Sequence, residues 1–405
     1  MQTNLEIREA IRLIMANTGR LPAESIPAVR AHGRVLAEDV KAPIDQPPWP
    51  RSPLDGYALR AGDTKGADRD HPVVLDVVDT IYAGGVPHVE ILPGQAARIM
   101  TGAPIPPECD CVLRQEDTDL GTEQVQLYAQ VAPYQNYCYT GEDFQAGDVI
   151  LSAGTRLAGA AMGVLAAAGM LREDCLLSVV QKPRCALLCT GDELVPQSVH
   201  PLPAGKIYSS NAAQLSARLL ELGMEVPVRM EGFPDDAAAL ASAIRQLAGQ
   251  VDCIITVGGV SVGVKDILHE ALPLAGAEQL FRKVRVKPGA PLIFSVSHCP
   301  VLSLSGNPFA AGATFEVFGR PMLACLEGCS DLLPQYMDAV LVTAFRKGQR
   351  IPRLVRGVCR NGQVTLPEGH ASGQLASAAG TNCLVEIPDD DTAVSAGSRV
   401  KVWLL

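Results

Sequence analysis

The sequence predicts a multidomain α/β protein: a doubly wound parallel-sheet domain, β-rich N-terminal domains before it and a small C-terminal β-barrel after it. Three observations carry that prediction. Between residues 178 and 328 apolar strands alternate with helices, the pattern of a parallel sheet covered on both faces. After residue 328 the helical periods stop, and short strands separated by turns remain. At 405 residues the chain is longer than one hydrophobic core organises, so two to four domains are expected.

In chain order, "NLEIREAIRLIMANTG" has helical spacing and stops at Gly19. "DQPPWPRSP" is a proline-dense connector, and short strands and turns fill residues 55–130. "GEDFQAGDVILSAGTRL" reads as turn, strand, turn, and the Ala/Gly-rich run at 157–171 as a tightly packed core helix. From residue 178, "CALLCT" is a buried strand and "NAAQLSARLLELG" a helix with Asn211 placed to cap it. "VPVRMEGF" is a strand, "DDAAALASAIRQLAG" a helix with acids in its first turn, and "CIITVGG" a third strand. "DAVLVTAF", "IPRLVRGVC", "QVTLPEG", "CLVEIP" and "SRVKVWLL" make the final β unit. The domains then run 1–45 with 140–177 (helical and linker), 46–139 (β-rich), 178–328 (α/β) and 329–405 (barrel). No repeat or low-complexity run interrupts them.

Charge and composition narrow the function. The net charge is −10, so no global basic field exists to hold nucleic acid or an anionic membrane, and an anionic ligand needs a local basic patch. The run at 157–171 is shorter than the roughly 20 residues a bilayer span needs, and the start lacks a basic-then-apolar signal pattern. The twelve cysteines include no C-x₂-C pair, and several lie inside apolar strands, so buried reduced thiols in a cytoplasmic protein are expected.

Ligands of doubly wound sheets bind outside the carboxyl ends of the strands. That edge carries "TGDEL", with Glu193, and "GGVSVGVKD", with Gly258, Gly259, Ser261, Gly263 and Asp266. Glycines let backbone N–H groups approach an anion, and a helix start adds positive potential. An acid at the mouth repels phosphate unless a metal lies between, and Mg²⁺ takes one or two carboxylates plus phosphate oxygens. Glu193 and Asp266 are the metal pair on that reading; a glycine turn with Asp266 as a helix cap accounts for the same residues. In "FRKVRVKPGAP", Val284 and Val286 face inward, leaving Lys283, Arg285 and Lys287 together on the other face, either around an anion or in solvent. "LSLSGNPFAAGATF" puts Ser305, Gly306 and Asn307 in a turn with Pro308 near the first helical position, a second anion cradle.

"DGYA", "IMTGAPIP", "GED", "TGDEL", "GGVSVGxxD", "KPGxP" and "SGNP" occur in this order over nearly the whole chain. Together they resemble the molybdopterin molybdenumtransferases (MoeA and the E domain of gephyrin). The resemblance implies an L-shaped homodimer of four-domain subunits. It implies insertion of molybdate into adenylylated molybdopterin with release of AMP, dependent on Mg²⁺ or a similar divalent cation. By matching motif, the catalytic acids fall on Asp55, Asp143, Glu193, Asp235 and Asp266, and the site threonine on Thr101. The basic residues fall on Lys283 and Lys287, the late arginine on Arg356 and a site serine on Ser372. The glycine loop then holds the AMP-side phosphates, and the lysines neutralise terminal phosphate or molybdate. Asp55 and Thr101 enter from the other subunit. Contacts with a molybdopterin adenylyltransferase or with acceptor molybdoenzymes are further implied. Three departures stand out: Ser305 replaces a family proline, Ala290 a family lysine, and "SPLDGYA" stands for "SAMDGYA". They bear on anion choice and rate. Rival readings are a molybdopterin-binding adenylyltransferase, a tungstate-inserting paralogue and a non-catalytic pterin-binding scaffold.

Overall fold

The computed structural model describes residues 1–260, 267–345, 351–369, 373–388 and 393–405. Its centre is a seven-stranded sheet. Four parallel strands form the body, in the spatial order Glu225–Phe233, Arg184–Thr190, Cys253–Val257 and Pro300–Leu304. Both faces of this body are covered. Along Arg184–Thr190, Cys185, Leu187 and Cys189 enter one core with the helix Ser210–Glu221, while Ala186 and Leu188 enter the other with the helices Ala237–Ala248 and Ile267–Leu274. This two-sided burial is why "CALLCT" is a continuous apolar run and does not alternate.

The sheet is mixed where the sequence suggested parallel strands only. Ile293–Val296 runs antiparallel to both of its neighbours, Pro300–Leu304 and Glu278–Val284. Only residues 297–299 join it to Pro300–Leu304, which permits a hairpin and no crossover. The outermost strand is Gln2–Leu5, parallel to Glu278–Val284 with Gln2 opposite Phe281 and Leu5 opposite Val284. The helix Ile7–Ala16 follows and buries Ile7, Ala10 and Ile14, one stripe at helical spacing, in the same core. Residues 2–16 therefore pack with the α/β layer, although the sequence reading grouped them with 17–45.

The segments 23–41 and 149–180 pair with each other: Ala23–Pro27 with Leu176–Val180, and Val40–Lys41 with Val149–Leu151. The Ala/Gly run forms the helix Gly159–Ala167, but it is not a core helix. Ala161 and Leu165 are buried, whereas Gly159, Ala160, Gly163, Ala166 and Ala167 are exposed. A five-stranded sheet, ordered Cys111–Arg114, Gly56–Leu59, Gln95–Ile99, Val73–Ile81 and Gln124–Leu127, makes the β-rich region. The last region is a closed five-stranded barrel around Val355, Val364, Val385 and Val402. It docks on the α/β domain through backbone bonds at Lys287, whose N–H donates to Pro352 O (2.9 Å) and whose C=O accepts from Leu354 N (2.7 Å).

All twelve cysteines are thiols, eight of them buried, and burial pushes Cys109 up to about 12. Among the described residues no group of three or more His, Cys, Asp or Glu side chains is arranged for a metal. No described helix is long and apolar enough to cross a membrane.

Candidate active site

The carboxyl ends of three neighbouring parallel strands open into one cavity of about 360 Å³. Thr190, Gly191 and Glu193 follow the first strand, Val257, Gly258 and Gly259 the second, and Ser305, Gly306 and Pro308 the third. Asp235, after the strand Glu225–Phe233, completes the acidic side. Three of the motifs singled out in the sequence thus meet at the sheet edge, together with the wall residue Pro291 from "KPGAP".

Backbone shape explains the glycines here. Gly258 has φ +101°, and a Cβ there would lie 2.6 Å from the Thr190 carbonyl oxygen. Its N–H donates to Leu304 O at 3.0 Å, which ties the second strand's turn to the third strand. A Cβ at Gly191 would meet the Glu193 carboxylate at 2.7 Å, so the acid folds back over a residue that must have no side chain. No donor among the described residues binds that carboxylate, whereas the Glu193 carbonyl accepts from Ile207 N at 2.8 Å. Asp235 is held through its N–H, which donates to Asp192 Oδ1 at 3.2 Å. At the third turn Asn307 caps the helix Pro308–Thr314 and Pro308 occupies its first turn, as the sequence suggested.

Ser261, Gly263, Asp266 and Ser372 lie outside the described residues. The basic residues sit beside the cavity and do not line it. Lys283 is a non-glycine residue at φ +65°, a conformation that costs about 1–2 kcal/mol and tends to persist where function requires it. Val284 and Val286 are buried as expected, but the three cations do not form one open face. Arg285 pairs with Glu6, at the start of the first helix, and Lys287 sits on the barrel seam.

Asp55, Thr101 and Asp143 line neither this cavity nor the larger one described below. Asp55 and Thr101 meet, however. Thr101 N and Oγ1 both donate to Asp55 Oδ1, at 2.8 and 2.7 Å, and these two bonds hold the Asp55 carboxyl below its ordinary value. Asp143 is exposed on a turn fixed by its N–H to Gln46 O at 2.9 Å.

Arg356 is almost wholly buried, stacked 4.0 Å over the Phe309 ring and donating to Gln374 O. It borders a second cavity of about 500 Å³ between the barrel and the helices Ser210–Glu221 and Pro308–Thr314. The Arg218–Glu316 ion pair also borders it (2.7 Å). The two cavities share those helices as walls, and Pro308 and its neighbour Phe309 face different cavities.

Sequence reasoning missed Asn211 as a cavity residue. The helix begins at Ser210 with Ser209 as its N-cap, so Asn211 is inside the first turn, and its Nδ2 donates to Gly306 O at 2.8 Å. A polar residue beside three apolar positions at helical spacing was the available signal.

Three family models match the chain in order. The MoeA N-terminal region (domain I and II) matches residues 5–169, the probable molybdopterin binding domain 186–324, and the MoeA C-terminal region (domain IV) 338–405. Molybdopterin molybdenumtransferase 2 of Mycobacterium tuberculosis is 35% identical over 392 residues, covering 94% of each chain. Molybdopterin molybdenumtransferase of Staphylococcus aureus is 32% identical, covering 99% of this chain and 95% of its own. The crystal structure of the molybdopterin biosynthesis moeA protein from Pyrococcus horikoshii OT3 superposes with a TM-score of 0.85 at 29% identity, covering 99% of this chain and all of that one.

Proposed function

The chain belongs to the molybdopterin molybdenumtransferase family, transferases that insert the metal into molybdopterin in molybdenum cofactor biosynthesis, and from that premise we propose how its own residues do this. The substrate in this reading is adenylylated molybdopterin, with molybdate as the metal source and AMP as the second product. The carrying observation is the cavity at the sheet edge. It brings Glu193 and Asp235 into one lining with a glycine turn and a proline-started helix, which is a place for a pyrophosphate and its counter-ion.

The donor set suits a hard divalent cation such as Mg²⁺: the lining acids offer oxygen only, and among the described residues no cysteine or histidine lines the cavity. Glu193 would hold it, with Asp235 beside it and Asp266 as the further ligand the family implies. Bound there, the ion would offset phosphate charge. The turn at Gly258 and Gly259 shapes the pyrophosphate seat, and Gly306, Asn307 and Pro308 bound its other side. Lys283 and Lys287 flank the wall at Pro291 and would draw the incoming oxyanion. Cleavage at the pyrophosphate depends on this positioning and charge neutralisation and needs no covalent intermediate.

Asp55 and Thr101 line neither of the two described cavities, which supports a homodimer in which each site receives them from the partner. The exposed small-residue face of Gly159–Ala167 offers a surface for such an assembly. The test is to incubate the full chain with adenylylated molybdopterin, Mg²⁺ and molybdate or tungstate, and to follow AMP and cofactor formation. AMP release that tracks cofactor formation supports the reading. ATP consumption, or AMP release indifferent to oxyanion, overturns it.

A further inference from the structure

We propose that Tyr208 is a substrate-binding residue whose ring stacks on a flat nitrogen heterocycle of the substrate in the sheet-edge cavity. This rests on the function proposed above for that cavity. Among the described residues the lining holds two carboxylates, no lysine or arginine, and one aromatic residue, Tyr208. Charge there serves the ion and the pyrophosphate, so the organic part of the substrate depends on apolar surface. Ile207, Val260 and Pro291 add aliphatic wall, but only Tyr208 offers a planar face matched to a planar ligand.

Tyr208 is half-buried, and its polar end is already committed. A phenol has one proton to give, and the Tyr208 hydroxyl donates it to Val199 O at 3.1 Å, with His200 Nδ1 3.4 Å away. What Tyr208 has left to offer is its ring. Among the described residues no other ring and no cation stacks on it. The strand Ile207–Tyr208 is tied to the acid turn. It pairs in parallel with Leu194–Val195, Ile207 N donates to Glu193 O at 2.8 Å, and the preceding Lys206 Nζ donates to Asp192 O at 2.5 Å. Tyr208 is thus fixed on the Glu193 side of the cavity through both its hydroxyl and its backbone. A side chain held at both ends loses little conformational freedom when a ligand lies on it, which is what a stacking platform needs.

The heterocycle has two sources, the adenine or the pterin of the substrate, and titration calorimetry of the full chain separates them. AMP, ribose 5-phosphate and molybdopterin are titrated separately into the wild type, Tyr208→Leu and Tyr208→Phe. Leucine keeps an apolar wall and removes the ring, so it should cost about 5- to 150-fold in affinity for the ligand that stacks, the worth of one base on one aromatic ring. A loss for AMP with none for ribose 5-phosphate, which carries the sugar and phosphate without the base, assigns the adenine. A loss for molybdopterin with AMP unchanged assigns the pterin. Tyr208→Phe keeps the ring and gives up the bond to Val199, so it should bind the stacking ligand far more tightly than the leucine variant does while melting below the wild type. Unchanged affinity of Tyr208→Leu for both AMP and molybdopterin overturns the inference. So does an equal loss for AMP and ribose 5-phosphate, the mark of a distorted phosphate seat, and so does a phenylalanine variant as weak as the leucine one. A wild type that binds none of the three overturns the proposed function and this inference with it.

Discussion

Glu193 and Asp55 are both carboxylates on turns beside apolar strands, and the chain treats them in opposite ways. Asp55 is satisfied at home: Thr101 donates to it twice, from backbone and hydroxyl, and it lines neither of the two cavities described above. Glu193 borders a cavity, folds back over a glycine, and receives no donor from the described residues. A carboxylate with two donors is fixed in direction and charge before anything arrives, whereas one without donors keeps its oxygens for a ligand. The difference teaches that Asp55 is fixed by its own neighbourhood, while Glu193 is left open to a cavity at the end of its own sheet.

The strongest way to break this contrast is complementation. Asp55→Asn and Glu193→Gln should each reduce AMP release to near background. Co-refolded one to one, the two should recover about a quarter of wild-type activity, since half the dimers are mixed and each has one intact site of two. Tags on each variant verify the mixed dimers. Mixed dimers without activity would place both residues in one subunit's site and erase the contrast.

Next in size come the lysines beside the cavity. Lys283→Ala and Lys287→Ala should each weaken substrate binding roughly 10- to 100-fold, the worth of a charge-assisted bond, and the loss should shrink with added salt. Unchanged affinity in both would leave the Glu193 cavity without the cations assigned to it.

Two glycines then compare the backbones of the two regions. Gly258→Ala must relieve both a left-handed φ and a 2.6 Å clash with the Thr190 carbonyl, and should cost about 2–3 kcal/mol by denaturant melt. Gly102→Ala, next to Thr101, has φ +82° but only Ala83 Cβ nearby, at 3.8 Å. Its cost should be about 1 kcal/mol. Equal costs would show that the cavity turn is no tighter than the exposed one.

The smallest effect sharpens the account of Asp55. Thr101→Val removes the hydroxyl donor and keeps the larger contribution of the backbone N–H, so the Asp55 carboxyl should rise only part of the way to its ordinary value of 3.8. A depressed carboxyl stabilises the fold above its unfolded pKa and loses that contribution as pH falls through its folded value. The variant should therefore lose this contribution earlier on acidification, in the window below about pH 4. A carboxyl ¹³C NMR titration of Asp55 measures it; an unmoved midpoint would mean the backbone bond acts alone.

Much of the α/β domain was legible because its signals are local. "CIITVGG" ends in glycines where the strand ends, and "SGNP" caps a helix where Asn307 and Pro308 sit. What was not legible depends on partners far away in the sequence. Nothing in "QTNL" says that it pairs with Phe281 and Val284. Nothing in "FRKVRV" says that Arg285 is taken by Glu6. Asn211 read as a cap because the Gly306 carbonyl it binds lies 95 positions on. The Ala/Gly helix read as core because composition reports apolar content and not which side faces solvent.

The edge strand Gln2–Leu5 has a consequence for how the molecule is made. Its sheet partner, Glu278–Val284, leaves the ribosome long after it, so the first strand and helix must wait through the synthesis of two other domains before their apolar stripe is covered. A chain cut down to residues 178–328 would lack this closing strand and expose both the row of unpaired backbone groups along Glu278–Val284 and the apolar ground under Ile7, Ala10 and Ile14. Such a fragment should clump on refolding, and supplying residues 1–19 as a separate peptide should keep it in solution. The α/β domain is thus discontinuous in the order of synthesis, stitched shut by a piece of chain made well before the rest of it.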